Sequence, residues 1–321
     1  FEALRDEDVV VIAHVGGRYA DIGTAHAPRL ERAVEVHSTW GTFEWLLHDA
    51  FDLGYRVGVV CHSDDHKGRP GATRPGASHF GAIGGLTCYL MPELTREAVF
   101  RALRSRRHYG TTGTRMFLSV TGEFAAPVPV FAAAPALGPT AQAQLRQVGM
   151  GDIVRPGAVP MRLSVQAIGS APVERIDLFH GKQCVRTVRP FSAASLGQRI
   201  RVLWEGAEYR GRGREVLWRG KATLQGVVFR QAAAVNFLNP EQGLSLREDR
   251  TGLTWQSVTT GNMAGFDLWL DGGAAGTLRI ETNVVSGEVE LASIGIDDHV
   301  LDGGGLGRRI RIFRLPDRNE A

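Results

Sequence analysis

Val57-Gly58-Val59-Val60-Cys61-His62-Ser63-Asp64-Asp65-His66-Lys67-Gly68-Arg69-Pro70-Gly71 decides how the first part of the chain is read. Its first four residues form an apolar, valine-rich run of the kind that makes a buried strand. The eleven that follow hold two imidazoles, two carboxylates and two cations. Side chains at i and i+2 share a face in extended chain, so Asp64 and His66 can reach one metal ion. The glycines and Pro70 then end the regular structure. That leaves the polar groups on a loop at the C-terminal end of the strand, where parallel α/β folds keep their chemistry. A polar surface loop with incidental histidines is the plainer reading of the same residues.

Upstream, Val9-Val10-Val11-Ile12-Ala13 is a second apolar β-type run, with His14 at its end and glycines and Arg18 beyond it. A single histidine at a strand end is either structural or a ligand. In Ala33-Val34-Glu35-Val36-His37-Ser38 the valines face one way and Glu35 and His37 the other. Such a pair points either to an exposed sheet face or, in a barrel, inward or towards the mouth. Thr42 is placed to cap a helix with Phe43, Leu46, Leu47, Ala50 and Phe51 on one stripe. Gly54 stops that helix at the position after its C-cap. Strand, loop, strand, helix, strand is βα alternation, which predicts parallel strands with helices outside.

Downstream, the glycine-dense residues 75–85 read as an ordered loop folded back over the site. Thr95 caps a helix running to about Arg107, whose basic last turn suits the helix dipole better than it suits a phosphate clamp. From Met116 the pattern changes to short alternating runs separated by Gly, Pro and Asn turns, the signature of an antiparallel sandwich. The Ala- and Pro-rich residues 124–149 read as a flexible, poorly structured segment. Residues 309–313 are expected to pair in the same sandwich as residues 161–165 or in its neighbouring sheet. The fold expected is therefore α/β followed by all-β: residues 1–120 as one domain and residues 121–321 as a β-sandwich.

The totals exclude several functions. With 321 residues the chain has ample material for two cores, and its net charge of +3, without a long basic run, does not indicate a nucleic-acid partner. Cys61, Cys88 and Cys184 are odd in number and far apart, so they give neither a disulfide framework nor a metal knuckle. No apolar stretch is long enough to span a bilayer. Cytoplasmic and exported locations both stay open, as does the oligomeric state.

Three strand ends thus carry His14, then Glu35 with His37, then Asp64 with His66. Mixed imidazole and carboxylate donors suit zinc, manganese or iron. Arg18, Lys67 and Arg69 lie just past them and suit an anionic substrate such as a phosphate ester. His14-Val15-Gly16-Gly17-Arg18, Trp40-Gly41-Thr42-Phe43-Glu44-Trp45, His66-Lys67-Gly68-Arg69-Pro70-Gly71 and Gly84-Gly85-Leu86-Thr87 carry a further resemblance. Over residues 8–115 the chain resembles the second half of the PHP (polymerase and histidinol phosphatase) superfamily, specifically a bacterial PHP-like family with a β-rich tail.

The resemblance implies the C-terminal portion of a distorted (β/α) barrel that hydrolyses phosphoesters with two or three metals. His14 would match the later ligand histidine of the family, and Asp64 with His66 its closing Asp-x-His. Glu35 would line the site without being a standard ligand, and His37 has no firm counterpart. The family's opening His-x-His, its ligand glutamate and an earlier histidine would all precede residue 1, and the only nearby candidates, His26 and His62, do not replace the opening pair by spacing. The expectation is then a fragment that holds metal weakly and is nearly inactive alone.

The function expected is a metal-dependent phosphoesterase using a metal-activated water. His14, Asp64 and His66 would hold metal, Arg18, Lys67 and Arg69 would steady the anion, and Glu35 or His37 would orient water or a ligand. Two alternatives stay in view. One is a metal-dependent amide hydrolase. The other is a non-catalytic module whose sandwich binds a protein partner or a glycan, through Trp204, Trp218, Trp255 and Trp269 if these are not core residues.

Overall fold

The computed structural model describes all residues except 5–6, 15–19, 69–72, 75–81, 211–213, 239–241, 274 and 319–321. The first sheet is built around β2 (Glu31–Ser38), with β1 (Val11–Ala13) parallel on one side and β4 (Gly58–Cys61) parallel on the other. Between them in sequence, β3 (Gly41–Thr42) turns back antiparallel onto the end of β2. A central parallel strand is covered on both faces, and seven of the eight β2 residues are accordingly buried, including Glu35 and His37. That decides against an exposed polar face.

Val34 and Val36 pack with Phe43, Trp45, Leu46 and Ala50 into one apolar cluster, so helix α1 (Glu44–Asp52) covers the valine face of the sheet. Phe43, not Thr42, occupies the N-cap, and Thr42 instead pairs in β3. Gly54 follows the C-cap Leu53 with φ +71, as the stop signal requires. Next come β5 (Leu86–Tyr89), α2 (Arg96–Arg104) and β6 (His108–Thr111), in which β5 and β6 form an antiparallel pair. Thr95 caps α2, its hydroxyl accepting from the Ala98 N–H at 3.1 Å, and Ala98 and Ala102 are its buried face. The helix ends earlier than expected, at Arg104.

The remainder is antiparallel. Strand β7 (Phe117–Phe131) pairs with β8 (Gln142–Gly149), β9 (Ile153–Val154) and β10 (Met161–Ile168). This overturns the poorly structured reading of residues 124–149. They are the two arms of a hairpin, anchored by buried Phe124 and Val128, and β7 runs straight through the expected boundary at residue 120. Alanine and proline have low strand propensity, but the pairing between the two arms supplies backbone bonds that propensity does not. Strands β11 (Ile176–His180) and β12 (Gln183–Val188) form a separate hairpin.

Two five-stranded sheets follow. One has the order β15 (Val228–Val235), β18 (Met263–Asp271), β13 (Arg199–Ala207), β22 (Leu306–Leu315), β21 (His299–Asp302). The other has the order β16 (Gly243–Leu246), β17 (Gly252–Thr259), β14 (Val216–Gln225), β19 (Thr277–Thr282), β20 (Ser286–Glu290). Alternate residues of both sheets form one core, centred on Trp204 and Trp255, whose rings stack at 4.8 Å. The indole N–H of Trp204 reaches the Ser257 hydroxyl at 2.6 Å and that of Trp218 reaches Thr259 at 2.8 Å, as a buried indole requires. Trp204, Trp218 and Trp255 therefore offer no exposed ring to a glycan.

Residues 309–313 lie in β22, paired with β13 and β21, and residues 161–165 lie in the β7 sheet, so the two regions belong to different sheets. Beyond residue 151 the described residues contain no α-helix, only short 3-10 turns at Ala193–Ser195 and Leu291–Ser293. Every sheet is open, and no closed barrel occurs among the described residues. No helix among them is long and apolar enough to cross a membrane.

Candidate functional site

The parallel register brings three strand ends to one place. Ala13 lies opposite Val34, and Glu35 lies opposite Val60, so His14, Glu35 and His62 emerge together at the C-terminal edge. Glu35 Oε2 makes a close contact with His14 Nδ1, and Glu35 Oε1 lies 2.9 Å from His62 Nδ1. The far nitrogen of His14, Nε2, is 3.5 Å from Asp64 Oδ2, and Asp64 Oδ1 is 3.1 Å from His66 Nε2. Five side chains thus form one row: His62, Glu35, His14, Asp64, His66.

The loop that carries Asp64 and His66 is not the extended chain that the i, i+2 spacing suggested. Both residues have left-handed backbone, with φ of 46° and 56°. Non-glycine residues there cost energy and persist where surrounding contacts hold them. Thr39 supplies such contacts, its N–H donating to Ser63 O at 3.1 Å and its hydroxyl to Asp64 O at 3.3 Å. Asp65 closes the turn by accepting from the Lys67 N–H at 3.0 Å. The described part of the glycine-rich stretch does return to the site: Gly85 N–H donates to His62 O and Ala82 N–H to Thr39 O.

Electrostatics separates Glu35 from its neighbour on the strand. Burial alone would raise the Glu35 pKa, but the hydrogen bonds from His14 and His62 outweigh it and hold the carboxyl below its usual range. Glu35 is therefore an anion, 2% exposed, held between two imidazoles. Asp64 Oδ2 is buried and has no hydrogen-bond partner, although His14 Nε2 faces it.

His37 does not belong to this row. Its Nε2 donates to Ile83 O at 2.8 Å and its Nδ1 lies 2.9 Å from the Thr42 hydroxyl, which fixes the tautomer with Nε2 protonated. Burial lowers its pKa, and with both nitrogens engaged the neutral ring bridges β2 and the segment before β5. The pairing of β2 with β4 is irregular between Glu35 and His37, which separates the two residues the alternation grouped. Lys67 is exposed at the edge of the site, while Arg18 and Arg69 lie outside the described residues. His26, the other nearby candidate, sits elsewhere, 2.8 Å from Glu31 and stacked on Tyr55.

His62 is the residue the sequence reading passed over as a site member. The signal was its position: it stands two before Asp64 and four before His66, directly after the last residue of β4. A cleft of about 500 Å³ is lined by His37, Thr42, Cys61, Thr111, Met116 and Pro172, and none of the five row residues lines it. Cys61 in its wall is an inert thiol, pushed up to about 12 by burial and by the Glu35 charge.

Among the described residues no group of three or more His, Cys, Asp or Glu is already arranged to hold a metal ion. The donor set nevertheless suits one, since imidazole and carboxylate are mixed and one buried carboxylate oxygen is left unpartnered. Compared with family models, curated proteins and solved structures, the chain matches none.

Proposed function

We propose that the protein is a metal-dependent hydrolase, most simply a phosphoesterase, whose ion is held by His14, Asp64 and His66. One observation carries the reading: Asp64 Oδ2 is buried without a hydrogen-bond partner, and His14 Nε2 faces it at 3.5 Å. A buried carboxylate oxygen left unpaired is costly unless a cation or proton completes it. A bound divalent ion would lower the pKa of a water and polarise the oxygen under attack. The chain's own residues do the rest. Glu35 orients His14, Thr39 holds the Asp64 backbone, and exposed Lys67 attracts the anion. In this reading the first sheet is a portion of a distorted (β/α) barrel, and the two five-stranded sheets are a β-sandwich that supports it.

The test is hydrolysis of a phosphomonoester and phosphodiester panel with manganese or zinc supplied in excess. The expected result is metal-dependent turnover that chelator abolishes and Asp64→Ala reduces by about 10²-fold or more, at least the loss seen when a ligand's supporting partner is removed. Metal-loaded protein that cleaves amides and leaves the whole panel untouched would overturn the reaction class.

A further inference from the structure

Glu35 touches two histidines at once, and both contacts are made through Nδ1. An ionised carboxylate only accepts hydrogen bonds, so the ring atom facing each oxygen has to be the donor. A neutral imidazole carries one N–H, and a ring protonated at Nδ1 presents Nε2 as a lone pair. His14 Nε2 then confronts Asp64 Oδ2, acceptor against acceptor, across 3.5 Å. In that neutral form the gap is repulsive; a proton on Nε2 or a cation between the two atoms relieves it. His62 makes no hydrogen bond through its ring among the described residues other than that to Glu35, and its side chain is 42% exposed, so its Nε2 is within reach of solutes.

We propose that Glu35 is a positioning residue for two rings, fixing the Nδ1–H tautomer of His14 and of His62 together, and that His62 is a further nitrogen donor of the site. That the donors take a divalent cation rests on the reading above, while the tautomers do not. A carboxylate behind an imidazole sets which nitrogen is available and holds the ring's orientation. One carboxylate serving two rings makes their orientations interdependent.

The tautomers are read directly from long-range ¹H–¹⁵N correlation spectra of the protein at mildly alkaline pH, without metal. The expected pattern is neutral, Nδ1-protonated rings for both His14 and His62, and the Nε2–H form for His37. Finding Nε2–H, or a doubly protonated ring, at either His14 or His62 would overturn the proposal. In Glu35→Gln the amide oxygen still accepts from one ring, but the amide N–H₂ must donate to the other. One of the two rings should therefore switch to Nε2–H. No switch in folded Glu35→Gln would also count against it, and where that variant does not fold the wild-type spectrum alone decides.

Zinc titration by calorimetry then tests the donor role. His62→Gln should weaken zinc binding about 10- to 100-fold, whereas unchanged affinity would remove His62 from the donor set. If wild-type protein takes up no zinc, the metal reading and the donor role both fail, while the tautomers stand or fall on their own spectrum.

Discussion

His37 and Asp64 are both polar residues at strand ends, and the structure gives them opposite tasks. Both His37 nitrogens are used within the fold, whereas Asp64 keeps a buried oxygen without a partner. His37→Ala should therefore cost stability, about 1–3 kcal/mol for the partners it orphans, and leave metal affinity within a few-fold. Asp64→Ala should do the reverse, and paired denaturant melts and metal titrations check both. What was legible at this scale was position: a strand end in a parallel sheet places His14, Glu35 and Asp64 at one edge. What was not legible was partnership. Nothing in the spacing says that His62 shares Glu35 with His14, or that Asp64 and His66 meet through left-handed backbone and not along an extended strand. Those facts depend on the loop contacts from Thr39, which lies 25 residues from Asp64 in the chain.

Among the elements, the amphipathic helices were the easiest to read. Thr95→Ala removes the hydroxyl that accepts from the Ala98 N–H, and should lower stability by about 1 kcal/mol, seen as a shifted denaturant midpoint with an unchanged slope. Thr42 looked like an equivalent cap, yet its hydroxyl serves His37 and its backbone pairs in β3, because the helix begins two residues later. The β7–β8 hairpin was misread for a different reason. Sequence patterns report side-chain preference, and residues 124–131 and 142–149 are held by backbone pairing along a strand of 15 residues. The alternating runs of the two five-stranded sheets were legible because one face of each is buried; which strand pairs with which was not, since partners such as β13 and β22 lie about a hundred residues apart.

Several contacts join the first sheet and its helix to the β-rich part. Thr42 N–H donates to Thr260 O at 2.9 Å, and Gly41, with φ +132, brings its backbone so close that a Cβ would sit 2.1 Å from that same oxygen. Arg214 from the β-rich part lies over the Phe43 ring at 3.9 Å and donates to Trp40 O at 3.1 Å. Burial lowers its pKa to about 10, which still leaves it charged at neutral pH. Gly41→Ala should separate the melting of the two parts into distinct calorimetric transitions. A second network covers one sheet: Asp267 binds Arg199 at 2.6 Å and Arg201 at 2.7 Å, and Asp298 binds Arg175 at 2.9 Å and Arg311 at 3.0 Å. Asp267→Ala removes the carboxylate shared by two guanidinium groups in a dry site, Arg201 keeping only Glu174 as a carboxylate partner, and should cost about 3–5 kcal/mol.

Burial acts to raise the Asp298 pKa, but the hydrogen bonds and charges of Arg175 and Arg311 win and depress it. A depressed carboxyl contributes stability that is complete above its unfolded pKa of about 3.9 and is lost as pH falls through the folded value. The stability gap between wild type and Asp298→Asn should therefore close as pH drops below about 4, which melts at graded pH would show. The central claim is the proposal of one ion held by His14, Asp64 and His66. Anomalous diffraction from crystals soaked in manganese tests it most directly. The account predicts a peak bonded to those three side chains, with Glu35 still behind His14; a saturating soak that leaves this place empty, or puts the metal elsewhere, would contradict it.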